Sequence, residues 1–250
     1  MAKAATDMVK QDLSGGLARP DWLTKGDVRG TEHITNEDLI LPRLALAQGL
    51  SPELIRTDGK YIEGLKMGDI FNTLTGEILG EGPIDFTIIR ADRPRGIEYI
   101  PKKDGGGVKD FNVPLDDPRM KFGPNREKPV ATKFYDFIIM MVPSLEPCAL
   151  SLKSTGLKVA MTINALMKIR QAGGPAPSFA GKYQLRSVLM NNAKGTFAQF
   201  QVKNNGWLDK ETFLHAEHLY EIMKNKSLAV ETDPADMEDP DADGDSKEEM

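Results

Sequence analysis

The sequence predicts a mainly β fold of the α+β class, with antiparallel strands, one helix before a closing hairpin, and a second helix towards the C-terminus. Three observations support this. Short β-prone runs recur between turns rich in glycine and proline, only two stretches show helical spacing, and both ends of the chain are polar. We therefore expect a flexible N-terminal arm (1–35), one folded domain (36–226) and a disordered acidic tail (227–250).

Composition places the protein among cytoplasmic, water-soluble chains. With 250 residues, 40% of them hydrophobic, the chain can bury a core without covalent cross-links. The single cysteine, Cys148, cannot form an internal disulfide, which fits a reducing compartment. No signal peptide is recognisable and no segment reaches the roughly 18 uncharged apolar residues of a membrane span. We expect no membrane partner.

Charge is divided unevenly along the chain. The whole sequence has a formal net charge of -5, but residues 231–250 alone carry ten acidic residues against one lysine, a net of -9. The preceding 230 residues therefore sum to +4. A mildly basic body with an acidic tail is typical of a polyanion-binding protein whose tail imitates nucleic acid, and equally of a tail kept for solubility.

The first half of the domain reads as strands and turns. Pro42 argues against a continuous helix through the apolar run at 39–48. Residues 69–79 form two β-prone halves around a Thr-Gly turn, which predicts a hairpin. Residues 84–90 and 96–100 flank the Asp-Arg-Pro-Arg of 92–95, which predicts a second hairpin. The glycine- and proline-rich segment 101–132 is expected to be a long irregular loop.

The second half contains both helices and the closing hairpin. Aromatic and β-branched residues predict a central strand at 133–142 and a returning strand at 149–153. A helix capped by Ser154 or Thr155 should bury Val159, Ile163, Leu166 and Ile169 and end at Gly173. The other predicted elements are a hairpin of 183–190 with 196–203 and a helix over 208–223.

This order of elements matches an oligonucleotide-binding (OB) barrel, in which a helix lies between the third and fourth of five antiparallel strands. We therefore predict an OB-like antiparallel barrel, with other small barrels and a general α+β sheet as alternatives.

Basic and aromatic residues interleave in a way that suits a single nucleic-acid strand, whose phosphates need cations and whose unstacked bases need flat rings. The same residues can also be ordinary core aromatics and solubilising surface cations. The predicted nucleic-acid-binding residues are Arg90, Arg93, Arg95, Tyr99, Lys102, Lys103, Lys121, Phe122, Arg126, Lys128, Lys133, Tyr135, Arg186, Phe197 and Lys203. Of these, Phe197 is expected to be exposed on the outer face of the closing hairpin.

Three patterns that imitate chemical sites are discounted. Residues 239–245 resemble the start of an EF-hand loop, but Met250 stands where the bidentate glutamate is required. Glu211, His215 and His218 share one side of a helix, which more commonly marks a solvated face. The glycines 105–107 lack the Gly-Lys-Ser/Thr of a phosphate-binding loop. We predict no metal, no cofactor and no catalytic residues, and hence a protein that is not an enzyme.

The strand, helix and hairpin order over 69–203, together with the acidic tail, resembles the single-stranded DNA-binding proteins of tailed phages. The resemblance implies an OB-type body, and a tail that recruits replication or recombination proteins and competes with DNA. It also implies location in the host cytoplasm. Many such tails end in an aromatic residue, whereas this one ends in Glu248-Glu249-Met250.

The leading hypothesis is a sequence-tolerant single-stranded DNA-binding protein acting in phage-type DNA replication or recombination. The alternative is a phage structural or scaffolding protein that does not bind nucleic acid. A small hydrolase with a site near the glycine-rich loop ranks last, because no nucleophile and base can be named. Homo-oligomer formation and the choice between DNA and RNA are left open.

Overall fold

The computed structural model describes residues 41–101, 104–125, 127–142, 144–192 and 195–224, which form two antiparallel sheets and two α-helices. The strands are β1 (Leu44–Leu46), β2 (Ile70–Asn72), β3 (Ile78–Gly80), β4 (Ile84–Ala91), β5 (Arg95–Tyr99), β6 (Val108–Val113), β7 (Ala131–Met141), β8 (Pro147–Lys153), β9 (Gly181–Asn192) and β10 (Gly195–Trp207). The helices are α1 (Leu157–Arg170) and α2 (Lys210–Met223). The prediction of a mainly β chain with two helices is confirmed. The predicted arm at 1–35 and tail at 227–250 lie outside the described residues.

A small three-stranded sheet is formed by β1, β2 and β3. The predicted hairpin at 69–79 is confirmed: β2 pairs with β3, and Gly76 turns the chain with φ 70° while its amide donates to the Asn72 carbonyl at 2.9 Å. Positive φ is easy only for glycine, so the Thr-Gly pair defines this turn. Ala47, Leu65 and Phe71 are buried together beneath the sheet.

The large sheet has seven strands, in the order β10-β9-β4-β7-β5-β6, with β8 on the other edge of β7. The predicted central strand is confirmed as β7, the returning strand as β8, and the closing hairpin as β9 with β10. The hairpin strands are longer than predicted, since they also include polar residues at both ends.

The predicted hairpin at 84–100 is wrong. Both β4 and β5 run antiparallel to the same strand, β4 beside the C-terminal half of β7 and β5 beside its N-terminal half. The chain therefore continues in one direction through Asp92–Arg93–Pro94. Pro94 has no amide to donate, which interrupts the ladder locally, while the Asp92 amide donates to the Asp136 carbonyl at 2.9 Å and keeps the chain beside β7.

The segment predicted as an irregular loop, 101–132, is partly ordered. It contains β6, which pairs with β5, and a short 3₁₀ turn at Pro118–Met120. The three glycines at 105–107, all with positive φ, form the turn between β5 and β6. Met120 packs where Gly96 has no side chain, since a Cβ at Gly96 would lie 2.3 Å from the Met120 sulfur.

The large sheet is not closed into a barrel, because its edge strands β6, β8 and β10 do not pair with one another. The segment before β2 touches β8 and β10 instead. The Ala149 amide of β8 donates to the Pro42 carbonyl at 2.7 Å, and the Gln48 amide side chain bonds both backbone groups of Ala198 in β10 at 2.8 and 2.9 Å. An open sheet with bridged edges thus replaces the predicted barrel.

Helices cover both faces of the sheet, which explains why β7 is a continuous apolar run. Phe137 and Ile139 face α1, whose Val159 and Ile163 are buried against them in one cluster, the α1 cluster. Ile138 and Met140 face α2 in a second cluster. Neither helix in the described part of the chain is long and apolar enough to span a membrane.

The inner face of α1 differs from the prediction at its end. Val159 and Ile163 are buried and Leu166 is partly buried, as expected, but Ile169 is 67% exposed. The inward position of the last turn is taken by Arg170, whose guanidinium lies over the Tyr183 ring. The apolar residue that spacing placed on the core side therefore faces solvent.

Candidate nucleic-acid interface

Two of the predicted DNA-binding arginines hold the fold together. The Arg90 guanidinium forks onto Asp92, with N–O distances of 2.6 and 3.0 Å, and also donates to the Met223 carbonyl at the end of α2. A cation at this position neutralises the carbonyl end of the helix. Arg95 donates to Asp136 at 2.8 Å and to the Phe111 carbonyl at 2.7 Å, joining β5, β6 and β7. Neither guanidinium has its full set of donors available for phosphate.

The other predicted residues near β5 and β7 do not share one surface with them. The Lys133 ammonium lies 4.9 Å from the Tyr135 ring centre, and Tyr135 packs against the α1 cluster. Arg95 bonds Asp136, which lies on the same face of β7 as Ile138, the face that packs against α2. Because successive side chains of a strand point to opposite faces, the predicted groove is divided between the two sides of the sheet.

The remaining predicted residues of this region lie between β4 and β5, at the end of β5, in the segment from the Pro118–Met120 turn to β7, or outside the described residues. Phe122 is 71% exposed, Lys121, Lys128 and Arg93 are exposed, and Tyr99 is half-buried. The structure thus leaves an aromatic ring and cations on this segment accessible. Lys102, Lys103 and Arg126 are outside the described residues.

An arginine that the prediction omitted, Arg119, organises this segment. Its guanidinium contacts Asp117 at 2.9 Å, Glu98 at 2.7 Å and Asp110 at 3.0 Å, and Lys109 reaches Glu98 at 2.5 Å. Hydrogen bonds from Arg119 lower the pKa of Asp117 from 3.8 to about 2. Hydrogen bonds from Lys109 and Arg119 also lower the pKa of Glu98. The carboxylates are therefore held ionised, and they tie β5 and β6 to the turn.

The closing hairpin presents a polar sheet surface, which we call the hairpin surface: Gln184, Arg186, Gln201 and Lys203. Gln201 lies opposite Arg186 and Lys203 opposite Gln184, so the four side chains share one face. The Arg186 guanidinium donates to the side-chain oxygen Oε1 of Gln201 at 2.6 Å. Leu185 and Val202, which alternate with them, are buried in the α1 cluster. Two predicted residues, Arg186 and Lys203, are thus brought together here.

Polar residues at the β4 side extend the hairpin surface. Asp85 accepts from Gln184 at 3.2 Å and from Asn205 at 2.9 Å, and Lys182 lies 3.8 Å from its other oxygen. Phe197 belongs to the same strand face by alternation but is half-buried, so the prediction of an exposed ring is wrong. The accessible groups are cations, side-chain amides and the Asp85 carboxylate, and the cations and amides suit phosphates and base edges.

An aromatic residue at the end of this hairpin, Trp207, was also omitted from the prediction. The residue is 56% exposed, and its ring centre lies 4.7 Å from the Arg170 guanidinium carbon. The available signal was a tryptophan directly after a glycine at the polar end of a strand. The partner, 37 residues earlier in the chain, is not recognisable from local sequence.

The cysteine and two of the three histidines lie within the described residues. Cys148 is buried, and burial raises the pKa of its thiol to about 12, so it is protonated at neutral pH. His215 and His218 are exposed on α2. No group of three metal-ligating side chains occurs in the part of the chain that the structure describes. The EF-hand-like residues 239–245 lie outside it.

Comparison with known proteins identifies a class of phage protein. The family model for the Pam3 phage gp34-like protein matches residues 10–229, well over half of the chain. The chain therefore belongs to the Pam3 phage gp34-like family. No curated protein and no solved structure matches it.

Proposed function

We propose that this phage protein binds single-stranded DNA with little sequence preference and acts in DNA replication or recombination. The observation that carries the proposal is the hairpin surface, where Arg186 and Lys203 stand beside two amide side chains on the face of the hairpin opposite the α1 cluster. Cationic grooves with nearby aromatics hold single strands through phosphates and stacked bases. The net charge of +4 over residues 1–230 favours the same ligand.

The proposal is supported by one feature of element order that an OB barrel also has, a helix, α1, preceding the closing hairpin. In this proposal the acidic tail, residues 231–250, recruits replication or recombination proteins and competes with DNA for the cations. Its charge of -9 is the supporting feature.

The proposal is tested by fluorescence anisotropy of labelled oligo-dT at several salt concentrations. Replacing Arg186 and Lys203 together by glutamine should weaken binding and reduce the slope of log K against log salt by about 1.4, because each phosphate contact on a single strand contributes about 0.7. The matched control replaces Lys158 and Lys168, both exposed on α1, by glutamine. Absence of binding by the wild type at low salt, or equal losses in both double variants, would refute the proposal.

A second candidate function is a structural or scaffolding role in the phage particle. It is favoured by apolar side chains at the far end of the closing hairpin, where Leu189 is 53% and Met190 43% exposed. The two side chains point to opposite faces of the hairpin, and an exposed apolar strand end of this kind offers a contact for another protein. Stable homo-oligomers in light scattering that dissociate when both residues are changed to serine, with no binding to oligo-dT, would favour this role.

A further inference from the structure

Trp207 stands at the end of β10, beyond the regular part of the hairpin. The register of β10 against β9 shifts between Asn204 and Trp207, and Gly206 has φ 84°. This conformation is easy only for glycine. The bulge sets Trp207 opposite Gly181 with 56% of the residue exposed. The irregular backbone at 204–207 thus places a large aromatic ring at the surface.

The ring is held from beneath by Arg170. The guanidinium carbon lies 4.7 Å from the Trp207 ring centre and 4.8 Å from the buried Tyr183 ring, so the cation contacts both aromatics. It is fixed by hydrogen bonds to the Lys182 carbonyl at 2.9 Å and to the Asn204 side chain. Gly181 leaves the necessary space, because a Cβ there would lie 2.7 Å from the guanidinium. The indole is therefore held at a defined position, with its exposed part free for a ligand.

The aromatic ring and the cations of the hairpin suit a flat ligand that is attached to negatively charged groups. Arg170 lies beneath the ring on the α1 side of the hairpin, whereas Lys182 and the hairpin surface, with Arg186 and Lys203, lie on the opposite face of the same two strands. A DNA strand that follows these cations therefore reaches the ring by passing around the end of the hairpin at Gly181. Aromatic rings bind nucleobases of any sequence by stacking, while neighbouring cations hold the phosphates. This deepens the proposed function and rests on it.

We propose that Trp207, supported by Arg170, is a stacking platform for one unpaired nucleobase of the bound single strand. Its test uses the full-length chain with Trp22, the other tryptophan, changed to phenylalanine, so that Trp207 alone reports. Oligo-dT and a deoxyribose-phosphate chain of the same length without bases are titrated in parallel. Only the first should quench Trp207 fluorescence strongly.

Trp207→Leu keeps an apolar side chain but removes the ring. It should weaken binding of oligo-dT by about 5- to 150-fold, the range for losing one stacked base, and leave binding of the abasic chain unchanged. Trp207→Phe, which keeps a flat ring, should retain most of the affinity. Thermal melting of each variant shows whether the fold is intact.

Unchanged oligo-dT binding by Trp207→Leu would overturn the stacking inference while the proposed function stands. Equal weakening for oligo-dT and the abasic chain would also overturn it, because a base is then not what the ring recognises. Absence of wild-type binding to both ligands would instead refute the proposed function itself.

Discussion

At the residue scale, Gly82 lies where any side chain would meet the backbone of β9. A Cβ at this position would be 2.7 Å from the Leu185 carbonyl oxygen and 3.1 Å from the Arg186 Cα, and φ is 86°. Gly82→Ala should therefore lower the free energy of unfolding by about 1–3 kcal/mol through overpacking and backbone strain.

The matched control is Gly59→Ala, since nothing lies within 4 Å of a Cβ there. It should change stability by less than about 1 kcal/mol, in either direction. Urea unfolding of both variants measures the difference, and equal stabilities would contradict the close approach of Gly82 to β9.

Arg119 gives a prediction about acid sensitivity. Its hydrogen bonds lower the pKa of Asp117 from 3.8 to about 2 and also lower the pKa of Asp110, where the Asn112 amide makes the larger contribution. A carboxyl whose pKa is lower in the folded state stabilises the fold above its unfolded pKa and loses that effect as pH falls through the folded value. This stabilisation should therefore be complete above about pH 4 and disappear towards pH 2.

Arg119→Gln removes the cation and should be less stable than the wild type at pH 7. The difference in melting temperature should shrink as pH falls from 4 to 2. Melting followed by circular dichroism over pH 2–7 measures it. A difference that stays constant with pH would show that Arg119 acts through packing alone.

Some contacts of the predicted DNA-binding residues could be predicted from the sequence, and others could not. Arg186 and Lys203 could be placed together, because strand alternation and a hairpin register follow from local sequence. Arg95 could not be assigned its structural role, because its partner Asp136 is 41 residues away and nothing local signals the pair. The same holds for Arg170 and Trp207.

At the element scale, only one side of α1 packs against the sheet. Ile163 is fully buried in the cluster with β7 and β9, whereas Ile169 is 67% exposed. Ile163→Ala should cost about 2–5 kcal/mol, the range for emptying a buried site, and Ile169→Ala should cost less than about 1 kcal/mol. Equal losses in denaturant unfolding would mean that the helix is rotated from the position described.

Elements joined by short turns were predictable, whereas the relation between β4 and β5 was not. The hairpins of β2 with β3 and of β9 with β10 are encoded by residues within each hairpin. The Asp-Arg-Pro-Arg segment suits either a turn or a bend in a continuing strand. Pairing with β7, some 40 residues further on, decides between them, and this same long-range pairing arranges the open sheet instead of a closed barrel.

At the scale of the whole molecule, charge distribution makes a prediction about the tail. Removing residues 231–250 changes the net charge from -5 to +4. Association with a polyanion should therefore become tighter, most clearly at low salt where screening is weak. Anisotropy with oligo-dT compares the full chain with a chain ending at Val230. Equal affinities at low salt would mean that the tail does not influence the binding surface.

The contact of Gln48 with β10 has a consequence for the protein at high concentration. A strand at the rim of a sheet offers unpaired peptide groups to any similar strand, and so invites runaway growth by strand addition. The side-chain amide of Gln48 has the same donor and acceptor groups as a peptide bond, and it pairs with both the amide and the carbonyl of Ala198. One side chain thus blocks backbone pairing at one point on the free edge of β10, the longest strand of the sheet. A strand of a neighbouring molecule would have to displace it to add there.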